Sequence, residues 1–238
     1  MKFSVIVPAY NEQAWIGHTL RRIQRSIDVA GREMYELIVV DNASSDRTAA
    51  VADENGARVI KEQHRGVGRA RNKGASAATG DVLIFIDADT IVPDQLFVRI
   101  RQVIAQPAVI GGAVDIKYTA QRRGVRWYLA FEHVVGMLAH TARGATQFCW
   151  REVFTSIGGY DPALWMNEDI DFYRRLAKYA RKNGRGIELI GDIHVEPSTR
   201  RFDRVPLSLI IRRMNPLDSW VNRRDRQMWR QWYDDPIR

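Results

Sequence analysis

The chain has 238 residues, of which 45% are hydrophobic and 27% charged, and its formal net charge is +8. This length and apolar content are sufficient for one large domain with a buried core. The single cysteine, Cys149, excludes an intrachain disulfide framework and a cysteine-rich zinc site. The apolar runs are too short for a signal peptide or for the roughly 18 residues of a membrane span, so we expect a cytoplasmic protein.

In chain order, short apolar runs alternate with amphipathic stretches over the first 118 residues. Strands are predicted near residues 4–7, 36–40, 58–60, 82–86 and 108–114. Helices are predicted near residues 12–30, 46–55, 68–78 and 94–105. Such alternation predicts βαβ units and a mostly parallel sheet with helices on both faces.

The second half of the chain is less regular. Helices are predicted near residues 123–141 and 169–183, and strands near 146–150 and 187–190. From residue 199 onward there are ten arginines, five aspartates and three tryptophans. This basic aromatic tail could bind an anionic membrane surface, a phosphate-bearing ligand or nucleic acid, or its tryptophans could pack back onto the domain.

Acidic and polar side chains follow three of the predicted strands, at residues 8–12, 41–46 and 87–89. Ligands of open parallel sheets bind beyond the carboxyl ends of the strands, so these clusters should converge on one site. In extended backbone Asp87 and Asp89 point to the same side, and two like charges there require a cation or strong donors. Hard oxygen ligands without cysteine suit Mg²⁺ or Mn²⁺.

Other nucleotide-binding signatures are absent from the sequence. The glycines of "GVGRAR" lack the third glycine of a dinucleotide fingerprint and follow the third apolar run, and there is no P-loop motif. The glycine-rich turn instead leads into a basic helix start. There, Arg69, Arg71 and Asn72 are suited to phosphate or ribose contacts.

An ordered set of motifs extends over about residues 3–202: "VIVPAYNE", "ELIVVDNASSDRT", "GRARNKGASAATGDVLIFIDADT", "GGYDPALWMNEDIDF" and "IHVEPSTRRF". In this order and spacing the chain resembles family 2 glycosyltransferases of the GT-A fold. It departs from that pattern where Asp41-Asn42-Ala43 replaces the family's common Asp-Asp-Gly. The Gln-x-x-Arg-Trp of processive synthases is also missing, and "QMWRQW" in the tail only approximates it, which favours a non-processive enzyme.

The resemblance implies a Rossmann-like, mostly parallel α/β sheet with a smaller acceptor-side region. Residues 1–204 would form the GT-A domain, with a nucleotide-sugar half at 1–118 and an acceptor half at 119–204. Residues 205–238 would form a basic aromatic helical tail. The activity implied is metal-dependent, inverting transfer of a sugar from a UDP- or GDP-linked donor to an unidentified acceptor hydroxyl.

The resemblance also implies site residues. A donor nucleotide pocket would be formed by Pro8, Ala9, Tyr10, Glu12, Asp41, Arg71 and Asp87. The Mg²⁺ or Mn²⁺ ion would be held by Asp89, Asp87 and His194. The diphosphate would be covered by Arg200 and Arg201, and the catalytic base would be Asp169, with Glu168 beside it. Such an ion stabilises the leaving diphosphate, while the base takes the acceptor's proton from the opposite face.

Alternatives remain open at several of these positions. Asp169 could instead cap the helix that follows it, in which case Asp171 is the fallback base. Tyr160 and Trp165 could stack on a sugar or acceptor, or fill the turn that contains them. A nucleotidyltransferase and a nucleotide-sugar-binding protein without turnover are the competing functions. Nucleic acid is not an expected partner, whereas peripheral contact of the tail with the inner face of a membrane is.

Overall fold

The computed structural model describes residues 1–138, 145–213 and 216–229. The strands are β1 (Phe3–Ala9), β2 (Tyr35–Asp41), β3 (Arg58–Lys61), β4 (Val82–Ile86), β5 (Thr90–Ile91), β6 (Val109–Ile116), β7 (Thr146–Trp150) and β8 (Gly186–Pro197). The helices are α1 (Ile16–Ala30), α2 (Thr48–Glu54), α3 (Val67–Ala77), α4 (Leu96–Ile104), α5 (Arg123–Leu138), α6 (Arg151–Ser156), α7 (Glu168–Lys182), α8 (Arg200–Arg204), α9 (Leu207–Arg213) and α10 (Pro216–Val221). In this part of the chain no helix is both long enough and apolar enough to span a membrane.

The strands form one sheet in the order β3-β2-β1-β4-β7-β6-β8-β5. Strands β1 to β4 are mutually parallel where they pair, and β6 is parallel to β8. Strand β7 runs antiparallel to both of its neighbours, and β5 runs antiparallel to β8. The predicted mostly parallel sheet is therefore confirmed, and the carboxyl ends of β1, β2 and β4 meet at one edge.

Helices cover both faces of this sheet, because successive strand residues point to opposite sides. In β1, Val5 and Val7 pack into the cluster that contains α1 and α4. Between them, Ile6 packs into the cluster that contains α3 and α7. Helix α3 comes close to β1 at Gly74, where a Cβ atom would lie 2.3 Å from Ile6 Cγ2. Only glycine allows this approach.

The predicted elements of the first half agree with the structure to within a few residues, and β7 has the predicted bounds. Two features of the sheet were not predicted. Strand β5 has only two residues and exists because Thr90 and Ile91 pair with Pro197 and Glu196 of β8. Strand β8 continues well past the predicted end at residue 190. The end of the predicted helix 123–141 lies outside the described residues.

The described part of the C-terminal tail packs onto the loop that precedes α7. The Trp165 amide donates a 2.8 Å hydrogen bond to the Arg223 carbonyl, and Arg224 forms a 2.8 Å ion pair with Asp161. The side chain of Trp229 is only 1% exposed. This tryptophan therefore packs back onto the protein, whereas Trp232 lies outside the described residues.

Candidate active site

A cavity of about 260 Å³ lies beyond the carboxyl ends of β1, β2 and β4. Of the predicted site residues, those that line it are Pro8, Ala9, Tyr10, Glu12, Arg71, Asp87, Asp89, Glu168, Asp169 and Arg201. Further lining residues that were not predicted include Asn42, Arg65, Tyr118, Asn167, Ser198 and Phe202. Three predicted site residues do not line the cavity, namely Asp41, Arg200 and His194. The sheet edge therefore brings most of the predicted residues together.

Arg71 connects the two walls of the cavity. Its side chain is 3% exposed, with Nη2 2.7 Å from Asp87 Oδ1 and Nη1 3.1 Å from Glu168 Oε1. Asp87 faces this arginine because Leu83 and Phe85, on the same side of β4, already pack against α3 and α7. The buried Arg71 guanidinium thus forms ion pairs with Asp87, at the end of β4, and with Glu168, at the start of α7.

Asp87 and Asp89 do not share one cation in this structure. The chain turns after β4, with the Thr90 amide donating to the Asp87 carbonyl at 3.2 Å. Asp87 binds Arg71, whereas Asp89 Oδ2 lies 3.4 Å from Nη2 of Arg200. The negative charges of Asp87 and Asp89 are therefore each balanced by a different arginine.

Burial perturbs the carboxyls that contact Arg71. The pKa of Glu168 is raised to about 7, chiefly by burial and then by the negative charge of Asp169, against the attraction of Arg71. Burial likewise raises the pKa of Asp87 to about 6, and Arg71 opposes this shift. The Asp87 side chain still exposes 36% of its surface, so solvent in the cavity moderates the effect of burial on its charge.

A second ion-pair cluster lies beside Asp89. Nη2 of Arg200 is 2.5 Å from a carboxylate oxygen of Glu12, and Nη2 of Arg201 is 3.6 Å from the other. Burial raises the pKa of Glu12, as does the neighbouring Asp89, while both arginines lower it. Glu12 was predicted to contact the donor's base or ribose. Here it forms ion pairs with both arginines, of which Arg201 lines the cavity.

The pairing of β5 with β8 brings this cluster together. Ser198, directly after β8, donates from its amide to the Asp89 carbonyl at 3.0 Å, and Arg200 follows two residues later. Within the described residues, Nε and Nη1 of Arg200 are buried without a hydrogen-bond partner. Buried donors of this kind are suited to an anionic ligand that supplies oxygen acceptors.

The wall at the ends of β1 and β2 is built around Asn42. Its Nδ2 donates to the carbonyls of Glu62 and His64, and its Oδ1 accepts a 2.8 Å hydrogen bond from the Gly66 amide. An aspartate would have no N–H to donate to these carbonyls. The departure from Asp-Asp-Gly therefore has a structural role: Asn42 connects the end of β2 to the loop that contains Gly66.

Two other residues at this wall have defined contacts. The guanidinium of Arg65 lies 3.5 Å from the ring centroid of Tyr10, so a cation stacks on the tyrosine that lines the cavity. Asp41 accepts a 3.2 Å hydrogen bond from the Ser44 amide and is only 7% exposed. Asp41 therefore supports the turn behind the cavity wall.

The opposite wall starts at α7. Asn167 is the N-cap residue in a left-handed conformation with φ of 60°, so Asp169 is not the N-cap of this helix. Asp169 Oδ1 accepts a 2.8 Å hydrogen bond from the Ile170 amide. Asp171 forms a 2.7 Å ion pair with Arg175 one turn later. Of the two candidate bases, only Asp169 is among the cavity-lining residues.

Tyr160 and Trp165 belong to the packing around the cavity. Tyr160 is fully buried, stacks on Phe172 with ring centroids 4.3 Å apart, and donates its hydroxyl to Gln147 Oε1 at 2.9 Å. Trp165 contacts the C-terminal segment, with Arg226 lying 5.1 Å from its ring centroid. Neither side chain is among those that line the cavity.

The predicted ligands of a divalent cation do not lie together: Asp87 and Asp89 line the cavity and His194 does not. His194 lies opposite Asp115 in the β6–β8 ladder, with Nε2 3.3 Å from Asp115 Oδ2, and it does not line the cavity. No group of three or more His, Cys, Asp or Glu in the described chain is arranged to hold a metal ion. Mg²⁺ is usually held by one or two carboxylates together with substrate phosphates, and Asp87 and Asp89 supply such a pair. These two residues fit such an ion without His194.

The sheet order, the helices on both faces and the position of the cavity define a GT-A glycosyltransferase fold. A mannosyltransferase from Pyrobaculum calidifontis, solved with GDP-Man and Mn²⁺, matches with a TM-score of 0.65 at 23% identity, over 83% of this chain and 57% of that one. Glucosyl-3-phosphoglycerate synthase from Mycobacterium tuberculosis, solved with Mn²⁺, UDP and phosphoglyceric acid, matches with a TM-score of 0.60 at 24% identity, over 88% of this chain and 73% of that one.

The sequence agrees with the fold. The family model described as glycosyl transferase family 2 matches residues 4–176, and the chain belongs to this family. The chain is 33% identical over 128 residues to the curated glucosyl-3-phosphoglycerate synthase of Mycobacterium tuberculosis. The aligned region covers 50% of this chain and 38% of that relative. The match thus spans less than two fifths of the length of that relative. The family resemblance predicted from the motifs is confirmed.

Proposed function

We propose that this protein is a glycosyltransferase that moves a sugar from a nucleoside-diphosphate sugar to an acceptor hydroxyl. The observation that carries this proposal is the placement of two carboxylate pairs, Asp87/Asp89 and Glu168/Asp169, around one cavity with Arg71 between them. The solved relatives that contain GDP-Man or UDP with Mn²⁺ support a nucleoside-diphosphate donor.

The diphosphate of the donor would lie near Asp89 and the two arginines. Asp89, together with Asp87, would hold Mg²⁺ or Mn²⁺ when the donor is bound. The ion would act as a Lewis acid that stabilises the charge on the leaving diphosphate. Arg200 would turn its unsatisfied N–H groups to phosphate oxygens, which form stronger, charge-assisted hydrogen bonds.

Asp169 would act as the base. It lines the wall opposite the strand ends, where an acceptor hydroxyl would approach the sugar from the face opposite the diphosphate. Its carboxylate would take the hydroxyl proton, and this single displacement inverts the anomeric centre. Glu168 would position α7 through its ion pair with Arg71, since its carboxylate already contacts that guanidinium at 3.1 Å.

The test combines donor binding with turnover. Calorimetry with UDP and GDP, each with Mn²⁺ and then with chelator, identifies the nucleotide and the metal requirement. Release of nucleoside diphosphate from the matching sugar donor, with a panel of acceptors, measures transfer. We expect Asp169→Asn to retain donor affinity and to lower kcat by about 10²- to 10⁴-fold, which is the usual contribution of a general base.

Asp171→Asn is the matched control, because Asp171 lies two residues away in an ion pair with Arg175. It should change kcat little. An active Asp169→Asn variant would contradict the assigned base. Binding without turnover for any donor and acceptor would support a nucleotide-sugar-binding protein instead. Release of pyrophosphate from a nucleoside triphosphate and a sugar phosphate would support a nucleotidyltransferase.

A further inference from the structure

Helix α5 is apolar on two opposite faces. On the inner face, Val125 and Leu129 are buried against Ile210 of α9. On the outer face, Trp127 is 80% exposed, Phe131 63% and Val134 47%. The spacing of these three residues, four and then three positions apart, forms one continuous stripe along the helix. Large apolar side chains exposed together in this way mark an interaction surface.

The charge around this stripe is positive. Arg123 and Arg126 are exposed on the first turns of α5, next to Trp127. The sequence of α5 contains two arginines and one acidic residue, Glu132, so its charged residues carry a net positive charge. The surface therefore combines an exposed tryptophan and phenylalanine with two exposed arginines, which is the composition of helices that lie at a membrane interface.

The inner face of α5 is connected to the cavity. Tyr118 and Phe202 line the cavity, and both pack against the small cluster formed by α5 and α9. A surface bound to the outer face would thus be separated from Phe202 by the thickness of one helix, roughly 10 Å. This face is a different part of the molecule from Trp229 of the tail, which is buried.

We propose that the outer face of α5, formed by Trp127, Phe131 and Val134 and bordered by Arg123 and Arg126, docks on an anionic phospholipid surface. The helix would lie in the plane of the interface, with its aromatic rings among the acyl boundary and its arginines among the headgroup phosphates. A second copy of the chain is a poorer occupant. In a twofold dimer this positively charged surface would meet a copy of itself, which is electrostatically unfavourable. The proposal does not depend on the glycosyl-transfer activity.

The experiment is co-sedimentation of the full chain with phosphatidylcholine vesicles that contain either no anionic lipid or about 30 mol% phosphatidylglycerol, a level that gives a negative surface potential. We expect binding to the anionic vesicles that weakens as salt is added, because the Debye length shortens. Trp127→Ser/Phe131→Ser should lower the partition coefficient at least about tenfold, since both rings leave the apolar layer. Arg123→Gln/Arg126→Gln should lower it about fivefold for each arginine.

Two matched variants control for general effects of surface substitution. Val29→Ser removes an apolar side chain that is 51% exposed on α1, and Arg181→Gln/Arg185→Gln removes two exposed arginines at the end of α7. Both should bind like the unmodified chain, and all variants should keep its melting temperature. Absence of binding to anionic vesicles would overturn the proposal, as would equal binding of the α5 variants. A dimer that dissociates in the Trp127→Ser/Phe131→Ser variant, without vesicle binding, would also overturn it and assign the face to self-association.

Discussion

The two walls of the cavity carry the same residue types on different supports. Asp87 and Asp89 follow β4, a fully buried strand between β1 and β7, so the sheet holds their backbone in place. Glu168 and Asp169 begin α7, after a loop that is held by the C-terminal segment through Trp165 and Asn167. The first wall is held inside the sheet by pairing of β4 with β1 and β7. The second wall depends on contacts of a loop with the C-terminal segment.

Within each pair the two carboxylates also differ. Asp87 and Glu168 bind Arg71, whereas Asp89 and Asp169 have other contacts. One member of each pair is therefore bound to a common buried cation, and the other has separate contacts. Four substitutions test whether the two walls have separate supports and whether Arg71 connects them. They follow in order from the largest expected effect to the smallest.

Arg71→Ala should have the largest effect, because it removes the group that both walls share. Two carboxylates would lose their counter-charge in a buried site, and we expect the free energy of unfolding to fall by about 3–5 kcal/mol. Urea denaturation at neutral pH measures this. Arg69→Ala, at an exposed position on the same helix, should change stability by less than about 0.5 kcal/mol. Similar values for the two variants would show that Arg71 does not connect the walls.

Asp89→Ala should affect only the first wall. We expect the affinity for nucleoside diphosphate in Mn²⁺ to fall about 100-fold, since one of two carboxylate ligands and its charge are lost. The remaining affinity should no longer respond to chelator. Calorimetry of the unmodified chain with and without chelator provides the reference. If the variant still binds in a chelator-sensitive way, the ion is not held by Asp89.

Glu168→Gln should change the pH dependence of stability of the metal-free protein. Because the pKa of Glu168 is raised to about 7 in the folded state from 4.5, the folded state binds more protons between these values. Stability should therefore fall as pH rises through this window and stay lower above it. The variant should lack the part of this decline that Glu168 contributes, while the part due to Asp87 remains. It should be more stable than the unmodified chain at pH 8 by on the order of 2 kcal/mol, with no such gain below pH 4.5. Parallel melting curves across the window would contradict the raised pKa.

Ser219→Ala should have the smallest effect and should act on the second wall alone. It removes the hydroxyl that accepts a 3.2 Å hydrogen bond from Asn167 Nδ2, and we expect a loss of about 1 kcal/mol. Donor affinity should stay constant while kcat for transfer declines a few fold. Ser208→Ala, at an exposed position on α9, is the control. A change in donor affinity would show that the C-terminal segment supports both walls.

Much of the first wall could be predicted from the sequence, and the reason is local. The apolar runs of β1, β2 and β4 end at Pro8, Asp41 and Asp87, so periodicity and the parallel-sheet rule already place these ends together. The position of Arg71 between the two walls could not be obtained in this way. Its partner Glu168 lies 97 residues along the chain, and only the packing of α3 and α7 on the same face brings them together.

The same limit explains the other differences. His194 belongs to a β8 strand whose length and register with β6 are set by long-range pairing, and that register places it opposite Asp115. The family resemblance assigns Glu12 to the donor nucleotide and does not indicate its second contact, since the β5–β8 pairing brings Arg200 to it from 188 residues away. Tyr160 is buried because Phe85 and Phe172 surround it, and neither is its neighbour in sequence.

The hydrogen bond from Trp165 to the Arg223 carbonyl has a consequence for the order of assembly. During synthesis the amino-terminal part of a chain emerges first and can begin to fold while the remainder is still being made. The strands that carry Asp87 and Asp89 need no contribution from residues 216–229 for their pairing, whereas the loop before α7 obtains its partner only when Arg223 has emerged. A nascent chain would thus complete the strand-end wall of its cavity before the wall at α7.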